Sequence, residues 1–207
     1  MMLLDAQDCQ LVLVDYQTRL MPAIFEGPLV LANALRLARI AQLMEVPLWA
    51  TEQNPAKLGE NLSELRVLVA QSGGKTLAKM SFGAAEGLVD WLRPPDRKAP
   101  GGGNVRSLPK QLQKAVPPSR PARASIVIAG CEAHVCLMQT ALELLEQEFD
   151  VWVVTDACGS RTERNRDAAF DRLAGNGAEL VTTEMVAFEW LRTAEHPLFK
   201  QVQTLIK

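Results

Sequence analysis

Three polar residues of different chemistry follow three separate apolar runs of the chain. Asp15 comes directly after LVLV, Lys79 lies near the end of KTLAKM, and Cys136 follows SIVIAG at the start of a helical pattern. A buried carboxylate is costly unless it is paired, and a lysine can pair it. A thiol in the first turn of a helix is expected to favour the thiolate form. A base, a cation and a nucleophile for covalent catalysis are therefore available.

The elements that would bring these residues together are those of a parallel α/β protein. Short β-rich runs alternate with longer segments of helical periodicity, which predicts βαβ units. The predicted strands are 10–16, 47–52, 75–80, 125–130, 151–156 and 178–183, and the predicted helices are 29–44, 61–70, 84–92, 134–147 and 163–174, with two short helices closing the chain. Ligands of open parallel sheets bind beyond the carboxyl ends of the strands. We expect Asp15, Lys79 and Cys136 to meet there.

Each of the three residues also has a structural explanation that involves no chemistry. Asp15 could cap a turn at the strand end, Lys79 could be solvated, and Cys136 could pack inside its helix. Cys131 and Cys158 also follow predicted strands and compete with Cys136 as the reactive thiol. A buried cysteine is most often a small apolar side chain, so its surroundings must decide.

Length and charge restrict the classes of protein that the chain can represent. Its 207 residues predict a single domain over 1–207, with a proline- and glycine-rich loop insertion at about 93–124. A net charge of -2 gives no general attraction to nucleic acid, and no apolar run is long enough for a bilayer. The amino terminus lacks the pattern of a secretory signal. We therefore expect a cytoplasmic protein with a small-molecule substrate, and neither nucleic acid nor a membrane as partner.

Motifs for cofactors and metals are absent or misplaced in the sequence. No G-x-G-x-x-G follows the first strand, and SGGKT at 72–76 precedes a strand where a phosphate loop would follow one. His134 and His196 are the two histidines, and no C-x-x-C pair is present. We therefore expect no cofactor and no metal site.

Several segments, taken in order, resemble the isochorismatase-like cysteine hydrolase superfamily. They are LVLVDYQTRLMPAI, WATEQNP with LGE, AKMSFGA, AGCEAHVCLMQTALELL, VWVVTDACGSR and TTEMVAFEWLRTAEHPLFKQVQTLIK. The closest likeness is to the isochorismatase domain-containing branch. The resemblance covers nearly everything outside 93–124. It implies a Rossmann-like α/β fold of three layers, α/β/α, with a six-stranded parallel sheet in the order 3-2-1-4-5-6.

The resemblance also implies roles for individual residues. Asp15 would take the thiol proton, Lys79 would orient the thiol, and Cys136 would attack an electrophilic carbon to form a thioester-type intermediate. The family places a cis peptide between Cys131 and Glu132, which would aim the backbone N–H groups of Glu132 and Cys136 at an oxyanion. The superfamily commonly forms dimers or larger rings, so we expect a homo-oligomer.

The expected pocket is formed by side chains close to these three. Its substrate-binding residues are predicted to be Tyr16, Gln17, Gln53, Phe82 and His134, with Met21 beside them. Nicotinamidases of the superfamily carry a metal-binding D-x-H and further histidines after the second strand. TEQNPAKLGE has none of these, which argues against a metal-dependent nicotinamidase.

Four functions remain open from the sequence. The first is a metal-free cysteine hydrolase that cleaves a small amide, ureide or related C–N bond. The second is a vinyl-ether hydrolase acting on isochorismate, for which the aspartate matters more than the thiol. The third is a noncatalytic binding or scaffold protein, and the fourth is a redox sensor that uses Cys131 and Cys136.

Overall fold

A computed structural model describes residues 3–93 and 123–207. Within these residues six strands form one sheet in the order β3-β2-β1-β4-β5-β6, and every neighbouring pair is parallel. The strands are β1 (Cys9–Val14), β2 (Leu48–Gln53), β3 (Thr76–Lys79), β4 (Ser125–Gly130), β5 (Asp150–Val154) and β6 (Glu179–Val181). The predicted fold and strand order are confirmed.

Helices connect the strands and cover the sheet. They are α1 (Gly27–Leu43), α2 (Pro55–Leu58), α3 (Ser63–Gln71), α4 (Ala85–Leu92), α5 (Met138–Glu146), α6 (Glu163–Gly175), α7 (Thr183–Leu191) and α8 (Phe199–Ile206). Helix α1 contacts α3, α7 and α8, whereas α5 contacts α4 and α6. The two sets of helices form the outer layers around the sheet. No helix of the described residues is long and apolar enough to cross a membrane.

The two central strands have the sequence and burial pattern of strands in a parallel sheet. All six residues of β1 and all six of β4 are buried. Continuous apolar runs such as LVLV and IVIA are typical of strands that have helices on both faces. The strands also approach closely where they end, since a Cβ at Gly130 would lie 2.4 Å from the carbonyl oxygen of Val14. This edge of the sheet therefore leaves no room for a side chain at Gly130.

The register places three strand ends side by side. Val14 pairs with Thr51, and Gln53 pairs with Lys79. Asp15, the residue after Val14, therefore lies one residue before the level at which β2 and β3 reach Gln53 and Lys79. The predicted insertion at about 93–124 lies almost entirely outside the described residues.

One predicted helix differs from its expected form. The segment predicted as a single helix over 134–147 begins with a π-helical turn at Ala133–Leu137 and continues as α5. The N–H of Leu137 reaches the carbonyl of Glu132, five residues back, at 3.3 Å. Single π turns of this kind often occur at functional sites, and this one contains Cys136.

Candidate active site

Asp15 is a fully buried carboxylate with two partners. Its backbone has a positive φ of 56°, and its N–H donates to the carbonyl of Thr51 at 3.2 Å. The hydroxyl of Thr51 donates to Oδ1 at 2.6 Å, and Lys79 Nζ donates to Oδ2 at 2.9 Å. A charge removed from water in this way requires such compensation. The structure therefore holds Asp15 as an ion-paired, oriented carboxylate.

Lys79 directs all its donors at protein atoms. Its Nζ lies 2.8 Å from Gln53 Oε1, 2.9 Å from Asp15 Oδ2 and 3.0 Å from the carbonyl of Phe82, with the carbonyl of Ser81 at 3.4 Å. An ammonium group has three N–H bonds, so these acceptors occupy them. Lys79 can therefore orient Asp15 and supply positive charge without binding a ligand directly in this conformation.

Gln53 is fixed at both its backbone and its side chain. Gln17 accepts the backbone N–H of Gln53 through Oε1 and donates to the carbonyl of Gln53 through Nε2, both at 2.9 Å. The Gln53 side chain donates from Nε2 to the carbonyl of Met80 at 2.8 Å. This last bond turns Oε1 towards Lys79 and towards Cys136 Sγ, which lies 3.9 Å away.

The thiol of Cys136 completes the cluster. It is 6% exposed and lies within hydrogen-bonding reach of the side chains of Asp15 and Lys79. The backbone carbonyl of Cys136 accepts a hydrogen bond from the hydroxyl of Thr140 at 2.7 Å. The three residues that the sequence placed at one sheet edge are therefore brought together, with Gln53 among them.

The expected thiolate is not what the structure supports. The pKa of the Cys136 thiol is raised to about 12, mainly by burial. The negative charge of Asp15 also raises this pKa, by more than the positive charge of Lys79 lowers it. The helix dipole and the lysine favour the thiolate, but the loss of water around the sulfur outweighs them. The resting group is a neutral thiol beside a carboxylate that can accept its proton.

The residues before Cys136 adopt the expected backbone. The peptide between Cys131 and Glu132 is cis. The Glu132 carboxylate pairs with Arg161 at 2.8 Å, away from the thiol cluster. The use of the backbone N–H groups of Glu132 and Cys136 as oxyanion donors stays a prediction.

The predicted pocket residues lie in different surroundings. Tyr16 is buried and its hydroxyl donates to the carbonyl of Ala157 at 2.6 Å, while Gln17 is buried beneath Gln53. His134 lies 3.0 Å from the hydroxyl of Ser160 through Nδ1. Phe82 is 54% exposed at the β3–α4 connection. Phe82 is thus exposed and His134 half-buried, whereas Tyr16, Gln17 and Gln53 are buried.

Sequence reasoning missed two hydroxyls. Thr51 lies inside a buried strand and binds Asp15, and Thr140 follows Cys136 by four residues and binds its carbonyl. The run of three polar residues, Thr51, Glu52 and Gln53, at the end of a predicted buried strand was one available signal. The other was the spacing of four residues, at which a threonine commonly bonds back to its own helix. Among the described residues no group of three or more His, Cys, Asp or Glu side chains is arranged to hold a metal ion.

Comparisons with known proteins identify the family of the chain. A family model described as Isochorismatase domain matches residues 106–185. Isochorismatase domain-containing protein 2 of Pongo abelii is 34% identical over 197 residues, which cover 95% of this chain and 82% of that protein. The chain belongs to the isochorismatase-like hydrolase family. The human protein of the same name is also 34% identical over 197 residues, with the same coverage of both chains.

Two solved structures of isochorismatase-like fold extend the likeness over nearly the whole chain. The MAR1 ribonuclease of Caenorhabditis elegans has a TM-score of 0.82 and 27% identity, covering 99% of this chain and 92% of its own. The YcaC gene product of Escherichia coli, described as an octameric hydrolase of unknown specificity, has a TM-score of 0.80 and 25% identity. That match covers 100% of this chain and 90% of YcaC.

Proposed function

We propose that this member of the isochorismatase-like family is a cysteine hydrolase that cleaves a C–N bond of a small amide or ureide without a metal. The observation that carries the proposal is the position of a neutral Cys136 thiol within reach of the ion-paired Asp15 carboxylate. A nucleophile activated by an adjacent base is the usual arrangement for covalent catalysis. The stretch TEQNPAKLGE, at the end of β2 and after it, has no D-x-H motif and no histidine, so it offers none of the imidazole ligands that suit a transition metal.

The first half of the reaction forms a thioester. Sγ of Cys136 attacks the carbonyl carbon of the substrate while its proton passes to Asp15. The carbonyl π electrons move to oxygen, where the backbone N–H groups of Glu132 and Cys136 are proposed to stabilise the oxyanion. When the tetrahedral intermediate collapses, the C–N bond breaks and the amine leaves with the proton held by Asp15. Lys79 keeps its proton throughout and holds Asp15 in place.

The second half uses water. Asp15, again ionised, takes a proton from a water molecule as its oxygen attacks the thioester carbon. The C–S bond breaks, Cys136 recovers a proton, and a carboxylic acid or carbamic acid leaves. The net reaction adds one water molecule across one C–N bond.

Trapping the intermediate tests this proposal. The purified protein is incubated with a panel of small primary amides, ureides and electrophilic amide analogues, and its intact mass and turnover are measured. We expect turnover of at least one panel member and an adduct that maps to Cys136. Cys136→Ala should lose both, whereas Cys158→Ala, the matched control at a second buried thiol, should keep both. Full activity of Cys136→Ala on the turned-over amide would overturn the proposal.

The absence of turnover and of any adduct across the panel would favour a noncatalytic binding protein. An RNA oligonucleotide belongs in the same panel because the C. elegans relative is named a ribonuclease. We expect it to remain intact.

Vinyl-ether hydrolysis of isochorismate is a second candidate. It is favoured by the same pKa of about 12, since an un-ionised thiol beside a complete Asp15–Lys79 pair is compatible with chemistry led by the carboxylate. Asp15→Asn and Cys136→Ala are compared on isochorismate. Loss of activity in Asp15→Asn with activity retained in Cys136→Ala would select this candidate over the thioester route.

We also propose that the chain assembles as a homo-oligomer. The support is the YcaC gene product, which is described as octameric and matches this chain over its full length. Sedimentation velocity of the purified chain over a range of concentrations tests this proposal.

A further inference from the structure

One face of α7 presents large apolar side chains to solvent. Met185 and Phe188 are 45% and 43% exposed, and Leu3, at the edge of the same groove, is 57% exposed. The groove has a volume of about 460 Å³. The ring of Phe188 also contacts that of Phe199 on α8 at a centroid distance of 6.5 Å, so the apolar area continues onto a second helix. Contiguous exposed apolar area of this kind marks interaction surfaces.

Opposite charges border this groove at its two ends. Glu184 lies in the first turn of α7, four residues before Phe188, and Arg192 lies at the end of the helix, four residues after it. The guanidinium of Arg192 donates to the carbonyl of Leu3 at 3.0 Å, which holds its charge beside the groove. Glu189 also lines the groove, and its carboxylate accepts the backbone N–H of Leu4 at 2.8 Å. Glu184 and Arg192 are therefore the charges that flank Phe188 along the helix axis.

We propose that this α7 face is the contact surface for a second copy of this chain, related by a two-fold axis that passes close to Phe188. In an antiparallel pairing of two α7 helices about that axis, Phe188 meets the partner's Phe188. Glu184 then meets the partner's Arg192, and the partner's Glu184 meets Arg192. A surface that is complementary to itself is what a two-fold interface requires. The inference rests on the proposed homo-oligomer and names the surface that forms it.

The spacing of the charges indicates that the partner on this face is a second copy of the chain. A partner of a different sequence would need no symmetry in this face, whereas the equal spacing of four residues on either side of Phe188 matches a rotated copy of itself. Charges of opposite sign at the rim give register and specificity to such a contact, while the apolar centre gives most of the affinity.

Cross-linking tests the position of the axis. All four native cysteines are buried, so Phe188→Cys introduces a thiol that differs from them in exposure. Packed helices have axes about 8–10 Å apart, which brings facing Cα atoms within disulfide range at a two-fold axis. Under diamide, which oxidises two thiols to one disulfide, we expect a covalent dimer of Phe188→Cys. Val67→Cys, a control at an exposed position on α3, should stay uncross-linked.

A charge exchange tests the same contact without removing Phe188. In sedimentation velocity we expect Arg192→Glu to weaken association by about tenfold, because two attractive contacts per dimer become repulsive. Glu184→Arg should weaken it similarly, and the double variant Glu184→Arg/Arg192→Glu should recover most of the loss. Arg164→Glu, at an exposed position on α6, is the matched control and should have no effect.

The outcomes separate the two proposals. A wild-type chain that is monomeric at every concentration overturns both the oligomer and this interface. A wild-type oligomer that none of the α7 variants weakens, and that Phe188→Cys does not cross-link, overturns the α7 interface alone. Recovery in the double variant supports the two-fold pairing, and its failure after both single variants have weakened association overturns the pairing of Glu184 with Arg192.

Discussion

Cys136 and Cys158 are two buried thiols near the carboxyl ends of neighbouring strands, and burial raises the pKa of each to about 12. Their surroundings differ in which groups can take a proton. Cys136 is within reach of the ion-paired Asp15 carboxylate. The carboxylate close to Cys158 is Asp156, which raises the pKa of that thiol through its charge and not through a hydrogen bond to it. Oδ1 of Asp156 accepts both the backbone N–H of Thr183, at 2.8 Å, and the Thr183 hydroxyl, at 2.9 Å. A perturbed pKa therefore does not identify a nucleophile unless a base is beside it.

The difference extends to the two halves of the sheet. Asp15 directly follows β1, and Gln53 and Lys79 are the last residues of β2 and β3, so polar groups that need one another converge there. β4 and β5 end at Gly130 and Val154. The buried charges thus lie at the ends of β1 and β3 in a hydrogen-bonded network, and Cys136 reaches Gln53 of that network from the connection after β4.

Removing the charge of Asp15 should produce the largest change. Asp15→Asn preserves the shape but leaves Lys79 buried without its counter-ion, which costs about 3–5 kcal/mol of unfolding free energy. It also removes the proposed base, so turnover should fall by about 10³-fold. Urea denaturation and the activity assay measure the two effects.

The matched control for that variant lies beside the other thiol. Asp156→Asn keeps an oxygen for Thr183 and should cost about 1 kcal/mol or less without loss of turnover. Removing both charges of the pair, in Asp15→Asn/Lys79→Met, should restore part of the stability but none of the activity. Equal stability of Asp15→Asn and wild type would contradict the assignment of a buried ion pair.

The pH dependence of alkylation should separate the resting thiol from the activated one. With a pKa of about 12, the thiolate fraction of Cys136 rises about tenfold per pH unit through the neutral and mildly alkaline range. Iodoacetamide labelling, followed by peptide mass spectrometry, should show that rise. Turnover should not follow it, because Asp15 takes the proton during attack. A labelling rate that is already constant at neutral pH would mean a resting thiolate and contradict this view.

Much of the site could be predicted from the sequence because it depends on strand ends. Asp15, Lys79 and Cys136 follow apolar runs, and parallel strands bring their carboxyl ends to one edge. The ionisation state of Cys136 could not be predicted, since it depends on how much water the surrounding loops exclude. The sequence also could not predict that protein acceptors take up the N–H bonds of Lys79. Two of these acceptors are the backbone carbonyls of Ser81 and Phe82, which carry no sequence signal.

The unfolding free energy at alkaline pH should depend on the buried thiol of Cys158. The folded pKa of Cys158 is about 12, above its ordinary value near 9, so the folded chain keeps a proton that the unfolded chain releases between these pH values. Its contribution is fully present below pH 9 and is lost as pH rises towards 12, by about 1.4 kcal/mol per pH unit. Cys158→Ala should therefore flatten the pH dependence of the unfolding free energy, measured by urea denaturation. An unchanged slope would contradict a buried thiol at Cys158.

Two threonines allow a comparison of single hydrogen bonds, one near Cys136 and one near Cys158. Thr140 binds the carbonyl of Cys136 at 2.7 Å, and Thr183 binds Asp156 at 2.9 Å, and both are buried. Thr140→Val and Thr183→Val each remove one buried hydrogen bond, so each should cost about 1 kcal/mol of unfolding free energy. Turnover should fall several-fold in Thr140→Val alone, with the loss in kcat and little change in KM, because its hydroxyl fixes the backbone that carries the nucleophile. If the two variants lowered kcat equally, the loss would follow from general destabilisation, and Thr140 would have no positioning role.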